Sequence, residues 1–283
     1  MSNPIPFTLP SPAGPDLDGL LDLPDPQRHP GVRPVVVICH GFKGFMDWGF
    51  FPALATLLAE RGIAAVRVNL SGSGMRPGGD RVDDPEAFRA NTHSREVADL
   101  LTVLAATGTT LAPGRVDPER LGLLGHSRGG GNAVLAAAQE PWRDRVRALV
   151  TWAAVATFDR YSPEMKEAWR RDGALPVVNA RTGQQLALGL ELLEDLETQA
   201  AALDIEAAAG RRRAPWLIVH GATDESVPVA EGDLLAARAA PPAELLRIPG
   251  ADHTFGGRHP FTGPTPQLIQ ALNATQTWFL RHL

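Results

Sequence analysis

The chain has 283 residues, of which 44% are hydrophobic and 21% are charged, a composition that is ordinary for a globular protein and argues against disorder. Its formal net charge is −5 and it contains no long basic run, which excludes nucleic acid as an expected partner. The one cysteine, Cys39, excludes an intramolecular disulfide and is expected to be a small buried hydrophobe.

The N-terminal stretch, Met1-Ser2-Asn3-Pro4-Ile5-Pro6, lacks the basic start and the apolar core of a signal peptide. No run of about eighteen apolar residues occurs in the chain. We therefore expect a soluble cytoplasmic protein that has no membrane partner.

The first half of the chain alternates predicted strands and helices. An antiparallel edge hairpin is predicted from two short strands at residues 7–9 and 17–23. They are followed by a strand at 35–39, a helix at 51–60, a strand at 63–68, a helix at 94–106 and a strand at 121–125. Asp117-Pro118-Glu119 predicts a single capped helical turn before the last of these strands.

The loop Ser71-Gly72-Ser73-Gly74 is superficially similar to a dinucleotide-binding loop. Arg76-Pro77 follows where that motif needs a helix, and the third glycine is out of register. We therefore discount a dinucleotide site.

The second half of the chain predicts strands at 148–152, 215–220 and 244–248 and a closing helix at 268–280. Strands that alternate with helices predict an α/β fold with a mostly parallel sheet and helices on both faces. Sites in such sheets lie at the C-terminal ends of the strands.

The cluster Arg211-Arg212-Arg213 is interpreted as a solvated loop or helix end.

Residues 153–213 break the alternation, because they show helical patterns at 184–199 and 205–209 and no convincing strand. We predict that they form a helical cap, inserted into a core made of residues 1–152 and 214–283. Candidate substrate contacts in or beside the cap are Trp152, Tyr161, Met165 and Trp169. The alternative is that these side chains only pack the cap against the sheet.

The segment Gly125-His126-Ser127-Arg128-Gly129 has the Gly-x-Ser-x-Gly spacing of a nucleophile elbow. A serine on so sharp a strand-to-helix turn has a strained backbone, and side chains at both glycine positions would collide with the neighbouring strand and helix. The predicted strand before it and the Ala-rich pattern at 132–138 after it favour a nucleophilic Ser127. The alternative is an ordinary turn serine or helix cap.

A serine hydroxyl needs a base to take its proton and a carboxylate to orient that base. Among the eight histidines, His253 lies in the loop just after the last predicted strand. His259 is the rival, in a Gly/Pro-rich loop further from the strand end. A structural role is expected for His40, His126 and His220, which sit at strand ends beside glycines.

Asp224 is the candidate carboxylate, since it directly follows the strong strand predicted at 215–220. The alternative is a turn-forming aspartate. Glu225 and Asp252 are weaker substitutes for the same role.

Four segments carry a resemblance to the α/β-hydrolase superfamily that spans about residues 32–282: His40-Gly41-Phe42, the elbow, the Asp224 loop and the Asp252-His253 loop. The order Ser127, Asp224, His253 along the chain is the order of that fold. The cap resembles that of small bacterial carboxylesterases, including cinnamoyl or feruloyl esterase-like members. Dienelactone hydrolases have a similar plan but use Cys where this chain has Ser.

The resemblance implies a serine hydrolase that cleaves carboxylic esters of small molecules through an acyl-enzyme, with Ser127 as nucleophile, His253 as base and Asp224 orienting that base. It also implies an oxyanion hole formed by the backbone N–H groups of Phe42 and Arg128, with the Arg128 side chain in an ion pair beneath the site. No metal or organic cofactor is implied, and the metal-site motif His-Glu-x-x-His is absent from the sequence.

Two other functions stay open. A peptidase or thioesterase would use the same three residues and differ only in the cap and pocket. A non-catalytic relative that binds a small ligand is a third reading, because fold does not dictate function.

Overall fold

The computed structural model describes residues 3–283. The first two residues of the N-terminal stretch discussed above, Met1 and Ser2, lie outside the described residues. The strands are β1 (Ile5–Leu9), β2 (Leu17–Asp22), β3 (Arg33–Cys39), β4 (Ala64–Val68), β5 (Val116–His126), β6 (Val146–Trp152), β7 (Ala174–Asn179), β8 (Gln184–Gly189), β9 (Trp216–Gly221) and β10 (Ala243–Ile248). The helices are α1 (Phe51–Glu60), α2 (Pro85–Arg89), α3 (His93–Ala106), α4 (Arg128–Ala137), α5 (Trp142–Arg145), α6 (Pro163–Asp172), α7 (Leu190–Thr198), α8 (Ile205–Arg211), α9 (Val229–Arg238) and α10 (Pro266–His282).

Eight strands form a central sheet in the order β1-β2-β4-β3-β5-β6-β9-β10. The pairs β1–β2 and β2–β4 are antiparallel, and every pair from β4 to β10 is parallel. The predicted edge hairpin and the mostly parallel sheet are therefore confirmed. Since β3 and β5 are parallel neighbours that pair Cys39 with Gly125, the loops after these two strands leave the sheet side by side.

Helices cover both faces of the sheet, as predicted. α1 and α10 pack on one face, while α3, α4, α8 and α9 pack on the other. The run Val35–Val37 in β3 is fully buried because its alternating side chains enter both layers. Burying one such side chain contributes on the order of 1.5–3 kcal/mol. No helix within residues 3–283 is long and apolar enough to cross a membrane.

The insertion between β6 and β9 is only partly helical. It contains α6, α7 and α8, but also the antiparallel hairpin β7–β8, so the prediction of one helix over 184–199 is wrong in its first half. Leu186 and Leu188 of β8 alternate toward a cluster that includes Trp169, and Gly183 has a positive φ of 72° in the connecting turn. Short apolar segments of this kind do not distinguish strand from helix by period alone.

The predicted helical turn at Asp117-Pro118-Glu119 is also wrong, because these residues are an extended part of β5. Asp117 Oδ1 does accept a hydrogen bond from the N–H of Glu119, 3.0 Å away, but this bond closes a local turn and starts no helix. The register between β3 and β5 shifts at this point, which accommodates the extra residues of β5.

Arg212, the middle residue of the predicted solvated cluster, is 2% exposed. Its guanidinium donates hydrogen bonds to the carbonyl oxygens of Ala214 and Ala240, and it lies 4.9 Å from the ring centroid of Trp216. The prediction fails here because the side chain satisfies carbonyls from two loops that only tertiary packing brings together.

We expect Arg212→Met to lower the free energy of unfolding by about 2–4 kcal/mol, because it leaves buried carbonyl groups without donors. Arg213→Met is the matched control, since Arg213 is exposed, and it should change the same quantity by less than about 0.5 kcal/mol. Urea unfolding followed by tryptophan fluorescence measures both. Equal losses in the two variants would contradict the role given to Arg212.

Candidate active site

Ser127 stands at the junction of β5 and α4, in a backbone conformation with φ 58° and ψ −122°. A positive φ is uncommon for a residue other than glycine and costs on the order of 1–3 kcal/mol. Its backbone is held by hydrogen bonds, since its N–H donates to Trp152 O at 2.9 Å and its carbonyl accepts from the N–H of Gly130 at 2.9 Å. The sharp turn places the side chain at the N-terminus of α4.

The glycines on either side of Ser127 make this turn possible. A Cβ atom at Gly125 would lie 2.1 Å from the carbonyl oxygen of Gly129, and one at Gly129 would lie 2.3 Å from that of His40. Both contacts are with backbone, which has little room to move. The collisions with the neighbouring strand and helix that the sequence predicted are therefore present.

The loops after β9 and β10 bring an aspartate and a histidine to Ser127. His253 Nε2 lies 3.0 Å from Ser127 Oγ, and His253 Nδ1 lies 2.8 Å from Asp224 Oδ2. Asp224 Oδ1 accepts hydrogen bonds from the N–H groups of Ser226 and Val227, both at 2.9 Å. With the proton on Nδ1, directed at the carboxylate, the Nε2 lone pair of His253 faces the serine hydroxyl.

Asp224 is buried, and burial alone would raise the pKa of its carboxyl group. The hydrogen bonds from His253 and from the backbone N–H of Val227 outweigh burial, so the pKa is lowered from its ordinary value. The carboxylate is therefore ionised at neutral pH, where it favours the imidazole proton on Nδ1.

His126 supports the loop that carries His253. Its Nε2–H donates to the carbonyl oxygen of His253 at 3.0 Å, and the two rings are 4.9 Å apart. Burial, and secondarily the nearby His253, lower the pKa of His126 to about 3. The ring is thus a neutral donor at physiological pH.

The other strand-end histidines form structural hydrogen bonds, as predicted. His40 bridges the carbonyl of Gly41, 2.9 Å from its Nδ1, and the N–H of Leu70, 3.2 Å from its Nε2. His220 Nε2 lies 2.9 Å from the carbonyl oxygen of Val227. His259, the rival base, accepts a hydrogen bond from the N–H of Gly49 at 3.2 Å.

The Arg128 side chain lies beneath the site in an ion pair, as the sequence predicted. Its Nη1 is 3.3 Å from Glu96 Oε1 in a buried pair, and its guanidinium lies 4.0 Å from the ring centroid of Phe42. Neither the backbone N–H of Phe42 nor that of Arg128 donates a hydrogen bond to another residue within 3–283. Both N–H groups, predicted to form an oxyanion hole, are thus without an acceptor in the described part of the chain.

A cavity of about 450 Å³ lies against Ser127 and His253. Its walls come from the loop after β3, the turn of the β7–β8 hairpin and the loop after β10. The aromatic part of the wall consists of Phe42, Trp48 and Phe51. A pocket of this size accommodates a small organic molecule.

The four side chains predicted to contact substrate do not line this cavity. Trp152 is fully buried in the core and donates to Thr275 Oγ1 at 2.8 Å. Trp169 donates to Leu188 O at 3.0 Å and packs against Tyr161, so both hold the insertion together. Met165 is 42% exposed. The alternative, that these side chains pack the insertion against the sheet, fits Tyr161, which also packs against the core cluster on one face of the sheet.

Several lining residues were not singled out from the sequence: Lys43, Asn179, Arg181 and Arg258. Asn179 and Arg181 lie at the turn of the hairpin whose strands the sequence pattern did not resolve. The stretch Asn179-Ala180-Arg181-Thr182-Gly183 between two short alternating segments is a hairpin signal that would have located them.

Within residues 3–283, no group of three or more His, Cys, Asp or Glu side chains is arranged to hold a metal ion. Cys39 is buried and unpaired in β3, as expected, and burial raises the pKa of its thiol. It is therefore a small core residue and not a reactive nucleophile.

Comparison with known proteins finds a matching family and two curated relatives. Residues 36–263 match the alpha/beta hydrolase family. The chain is 27% identical over 222 residues to 2,6-dihydropseudooxynicotine hydrolase of Paenarthrobacter nicotinovorans, covering 77% of this chain and 51% of that protein. It is 24% identical over 270 residues to the uncharacterized peptidase YuxL of Bacillus subtilis, covering 94% of this chain and 37% of that protein. The chain thus spans about half or less of the length of these curated relatives.

Solved structures share the fold over nearly the whole chain. Est1E from Butyrivibrio proteoclasticus, in a structure with ferulic acid bound, superposes with a TM-score of 0.70 at 21% identity and covers 98% of both chains. A putative hydrolase from Agrobacterium vitis S4 superposes with a TM-score of 0.73 at 20% identity, again over 98% of both chains. Identities this low establish the shared fold.

The lowered pKa of Asp224 predicts a pH-dependent contribution to stability. Since the folded-state pKa lies below that of the unfolded chain, ionised Asp224 stabilises the fold above about pH 4, and this contribution is lost as the pH falls through the folded-state pKa. We expect Asp224→Asn to lower the free energy of unfolding at about pH 7, and the difference from the wild type to shrink toward about pH 3.

Urea unfolding of both proteins across this range measures the effect. Asp16→Asn is the control, because Asp16 is exposed and has no hydrogen-bond or ion-pair partner among residues 3–283. The difference between this variant and the wild type in free energy of unfolding should stay near zero throughout. A difference for Asp224→Asn that is constant or grows toward acid pH would contradict the prediction.

Proposed function

The chain belongs to the alpha/beta hydrolase family, and from this membership we propose that it is a serine hydrolase that cleaves carboxylic esters through an acyl-enzyme. The observation that carries the proposal is the continuous contact from Asp224 Oδ2 to His253 Nδ1, 2.8 Å, and from His253 Nε2 to Ser127 Oγ, 3.0 Å. These distances are within the reach that proton transfer from a nucleophile to a base requires.

In the first step, Ser127 Oγ bonds to the ester carbonyl carbon while His253 Nε2 takes the hydroxyl proton. The carbonyl electron pair moves onto its oxygen and gives a tetrahedral oxyanion. Asp224 keeps the imidazole in the tautomer that can accept the proton and stabilises the imidazolium that forms. The lowered pKa of the Asp224 carboxyl supports this part, because the group is negatively charged when the imidazolium appears.

The backbone N–H groups of Phe42 and Arg128 are the proposed donors to the oxyanion. Support comes from the close approach of the loop after β3, where a Cβ atom at Gly41 would lie 2.9 Å from Ser127 Cβ. The N-terminus of α4, at which Ser127 stands, adds a favourable dipole. Removing one such donor costs about 3–4 kcal/mol of transition-state stabilisation in hydrolases of known mechanism.

The oxyanion then collapses to the acyl-enzyme: the bond between the carbonyl carbon and the alcohol oxygen breaks, and His253 gives its proton to the leaving alcohol. In the second half of the reaction, water attacks the acyl carbon, His253 takes a proton from that water, and a second tetrahedral oxyanion forms. When this oxyanion collapses, the bond between the acyl carbon and Ser127 Oγ breaks, Ser127 Oγ regains its proton from the imidazolium, and the carboxylic acid leaves. No step requires a metal or an organic cofactor.

The Arg128 side chain is proposed to act through packing and not on the substrate. Its ion pair with Glu96 and its contact with the Phe42 ring join the start of α4 to the loop after β3. The two proposed oxyanion donors lie on these two segments. The contact therefore holds the N–H groups of Phe42 and Arg128 at a fixed position relative to each other.

A peptidase is the second candidate, favoured by the similarity to the uncharacterized peptidase YuxL of Bacillus subtilis. The same three residues can support attack of Ser127 on an amide or on an ester. The two activities differ in the leaving group, an amine or an alcohol. Comparing p-nitrophenyl esters of increasing acyl length with peptide p-nitroanilides separates these candidates. The cytoplasmic location expected from the sequence stays a prediction.

We expect wild-type protein to be labelled by a fluorophosphonate probe and Ser127→Ala to be unlabelled, because only an activated serine forms the phosphonyl adduct. Gel fluorescence and intact mass measure the labelling. Ser94→Ala, on α3, is the control and should label like the wild type. An unlabelled wild type that hydrolyses no ester would favour the third reading, a protein that only binds a small ligand.

His253→Ala should lower kcat for a p-nitrophenyl ester by about 10³–10⁴-fold or more, since no other base among residues 3–283 forms a hydrogen bond with Ser127 Oγ. His29→Ala should keep wild-type turnover, because the His29 ring lies beside the C-terminal end of α1, with Nε2 3.0 Å from Glu60 O, and does not line the cavity at Ser127. Turnover is measured under saturating substrate, with circular dichroism to verify folding. A His253→Ala protein that is folded and fully active would move the base to another residue.

A further inference from the structure

The cavity beside Ser127 is lined by basic side chains. Lys43, Arg181 and Arg258 contribute cationic groups to its wall, and His259 contributes an imidazole whose pKa is lowered from its ordinary value by burial. None of the described lining residues carries a carboxylate. The carboxylates that act on lining residues are themselves paired: Asp80 with Arg181, 3.5 Å from its Nη1, Asp47 with Arg67, and Asp224 with His253. A pocket with this charge favours an anionic ligand.

Asn179 lines the cavity and has a buried donor without a partner. The residue is 4% exposed, and its Oδ1 accepts a hydrogen bond from the backbone N–H of Arg181 at 3.3 Å. That bond orients the amide so that Nδ2 is the free end, and Nδ2 has no hydrogen-bond partner within residues 3–283. A buried donor without an acceptor is costly, so a site that keeps one is prepared for a ligand acceptor.

Arg181 offers a second unused donor at the same turn. Its Nη1 faces Asp80, whereas Nη2 is buried and has no partner in the described part of the chain. Its guanidinium lies 5.2 Å from the ring centroid of Phe45, which fixes the orientation of the plane. Burial lowers the pKa of Arg181 from its ordinary value, a desolvation penalty that a bound anion would relieve.

Lys43 and Arg258 extend the positive wall toward Ser127. Lys43 Nζ donates to Val178 O at 3.1 Å, which ties the loop after β3 to the hairpin. Neither Lys43 nor Arg258 forms an ion pair with any described residue. His259 adds a donor, because its Nδ1 accepts from the N–H of Gly49 and its proton is therefore on Nε2.

We propose that this cavity selects esters that carry a carboxylate, with the carboxylate oxygens accepting hydrogen bonds from Asn179 Nδ2 and Arg181 Nη2 while the ester carbonyl lies at Ser127. The inference rests on the proposed serine hydrolase function and names its substrate class. Both the nucleophile and the two free donors line one cavity of about 450 Å³, so a single small molecule reaches both.

The donor set favours a carboxylate over a neutral polar group. A sugar hydroxyl or an amide presents its own hydrogen and needs an acceptor, whereas Asn179 Nδ2, Arg181 Nη2 and Lys43 Nζ are all donors. A carboxylate accepts only, and its two oxygens suit two converging donors. The aromatic wall of Phe42, Trp48 and Phe51 suits the hydrocarbon between the carboxylate and the ester.

The test uses two pairs of esters that differ by one charge. In the first pair the acyl half varies: mono-4-nitrophenyl adipate is compared with its neutral amide, 4-nitrophenyl adipamate. In the second pair the alcohol half varies: 4-carboxyphenyl butanoate is compared with 4-carbamoylphenyl butanoate. The measured quantity is the ratio of kcat/KM for the anionic ester to that for the neutral one.

We expect this ratio to exceed about ten in at least one pair for the wild type, and to fall about ten- to hundredfold in Arg181→Gln and in Asn179→Leu. The preference should also weaken as salt is added, since it is electrostatic. Arg171→Gln is the matched control: it removes one positive charge from the same insertion, but Arg171 is exposed and pairs with Asp172. Its ratio should equal that of the wild type.

The outcomes separate this inference from the proposed function. A ratio near one in both pairs, with turnover that is lost in Ser127→Ala, would overturn the anion selectivity and leave the hydrolase standing. A wild-type preference that survives in both Arg181→Gln and Asn179→Leu would overturn the assigned residues.

If no ester of either pair is hydrolysed, the hydrolase proposal fails. A binding measurement then decides whether the cavity still binds a carboxylate. Titration calorimetry of Ser127→Ala with adipate and with 4-hydroxybenzoate measures the anion site directly. Binding that disappears when Arg181→Gln is added to Ser127→Ala would support a carboxylate site without turnover. Absence of binding by both anions would overturn the site as well.

Discussion

The strained turn at Ser127 is the constraint on which the rest of the site depends. Its positive φ is tolerated because Gly125 and Gly129 let strand, turn and helix approach to distances that no Cβ atom would permit. The same compactness places the loop after β3 directly against Ser127. Burial of β3 and β5 on both faces stabilises this geometry. The core of the sheet thereby offsets the unfavourable backbone conformation of the short turn at Ser127.

The strand-end loops meet at this turn because the sheet is parallel from β4 to β10. Asp224 and His253 follow neighbouring strands, and each is held by hydrogen bonds beyond their mutual contact. Backbone N–H groups donate to Asp224, and His126 donates to the carbonyl of His253. All of these donors are uncharged, and the bond from Val227 is buried, where a hydrogen bond is stronger than in water.

The insertion shapes what reaches that site. Its hairpin is tied to the core through Lys43 and Val178 and through Gln184 and Val82, while Trp169 and Tyr161 pack its interior. The turn between β7 and β8 therefore sits in the cavity wall as a fixed element with two unused donors. The residues of the proposed reaction thus follow strands of the central sheet, whereas Asn179 and Arg181, the proposed carboxylate contacts, come from the insertion.

The sequence by itself determined the sheet, the elbow and the histidine and aspartate placed beside Ser127, because each signal is local: a continuous apolar run, a glycine pair around a serine, a polar residue just past a strand end. Tertiary structure alone decided the cavity wall. Trp152 and Trp169 are buried and donate hydrogen bonds to residues distant in sequence, and Arg212 donates to carbonyl oxygens in two separate loops. Asn179 and Arg181 gained their place from a hairpin whose short strands carry no decisive period. Side-chain direction at such positions depends on neighbours far along the chain, which no local pattern records.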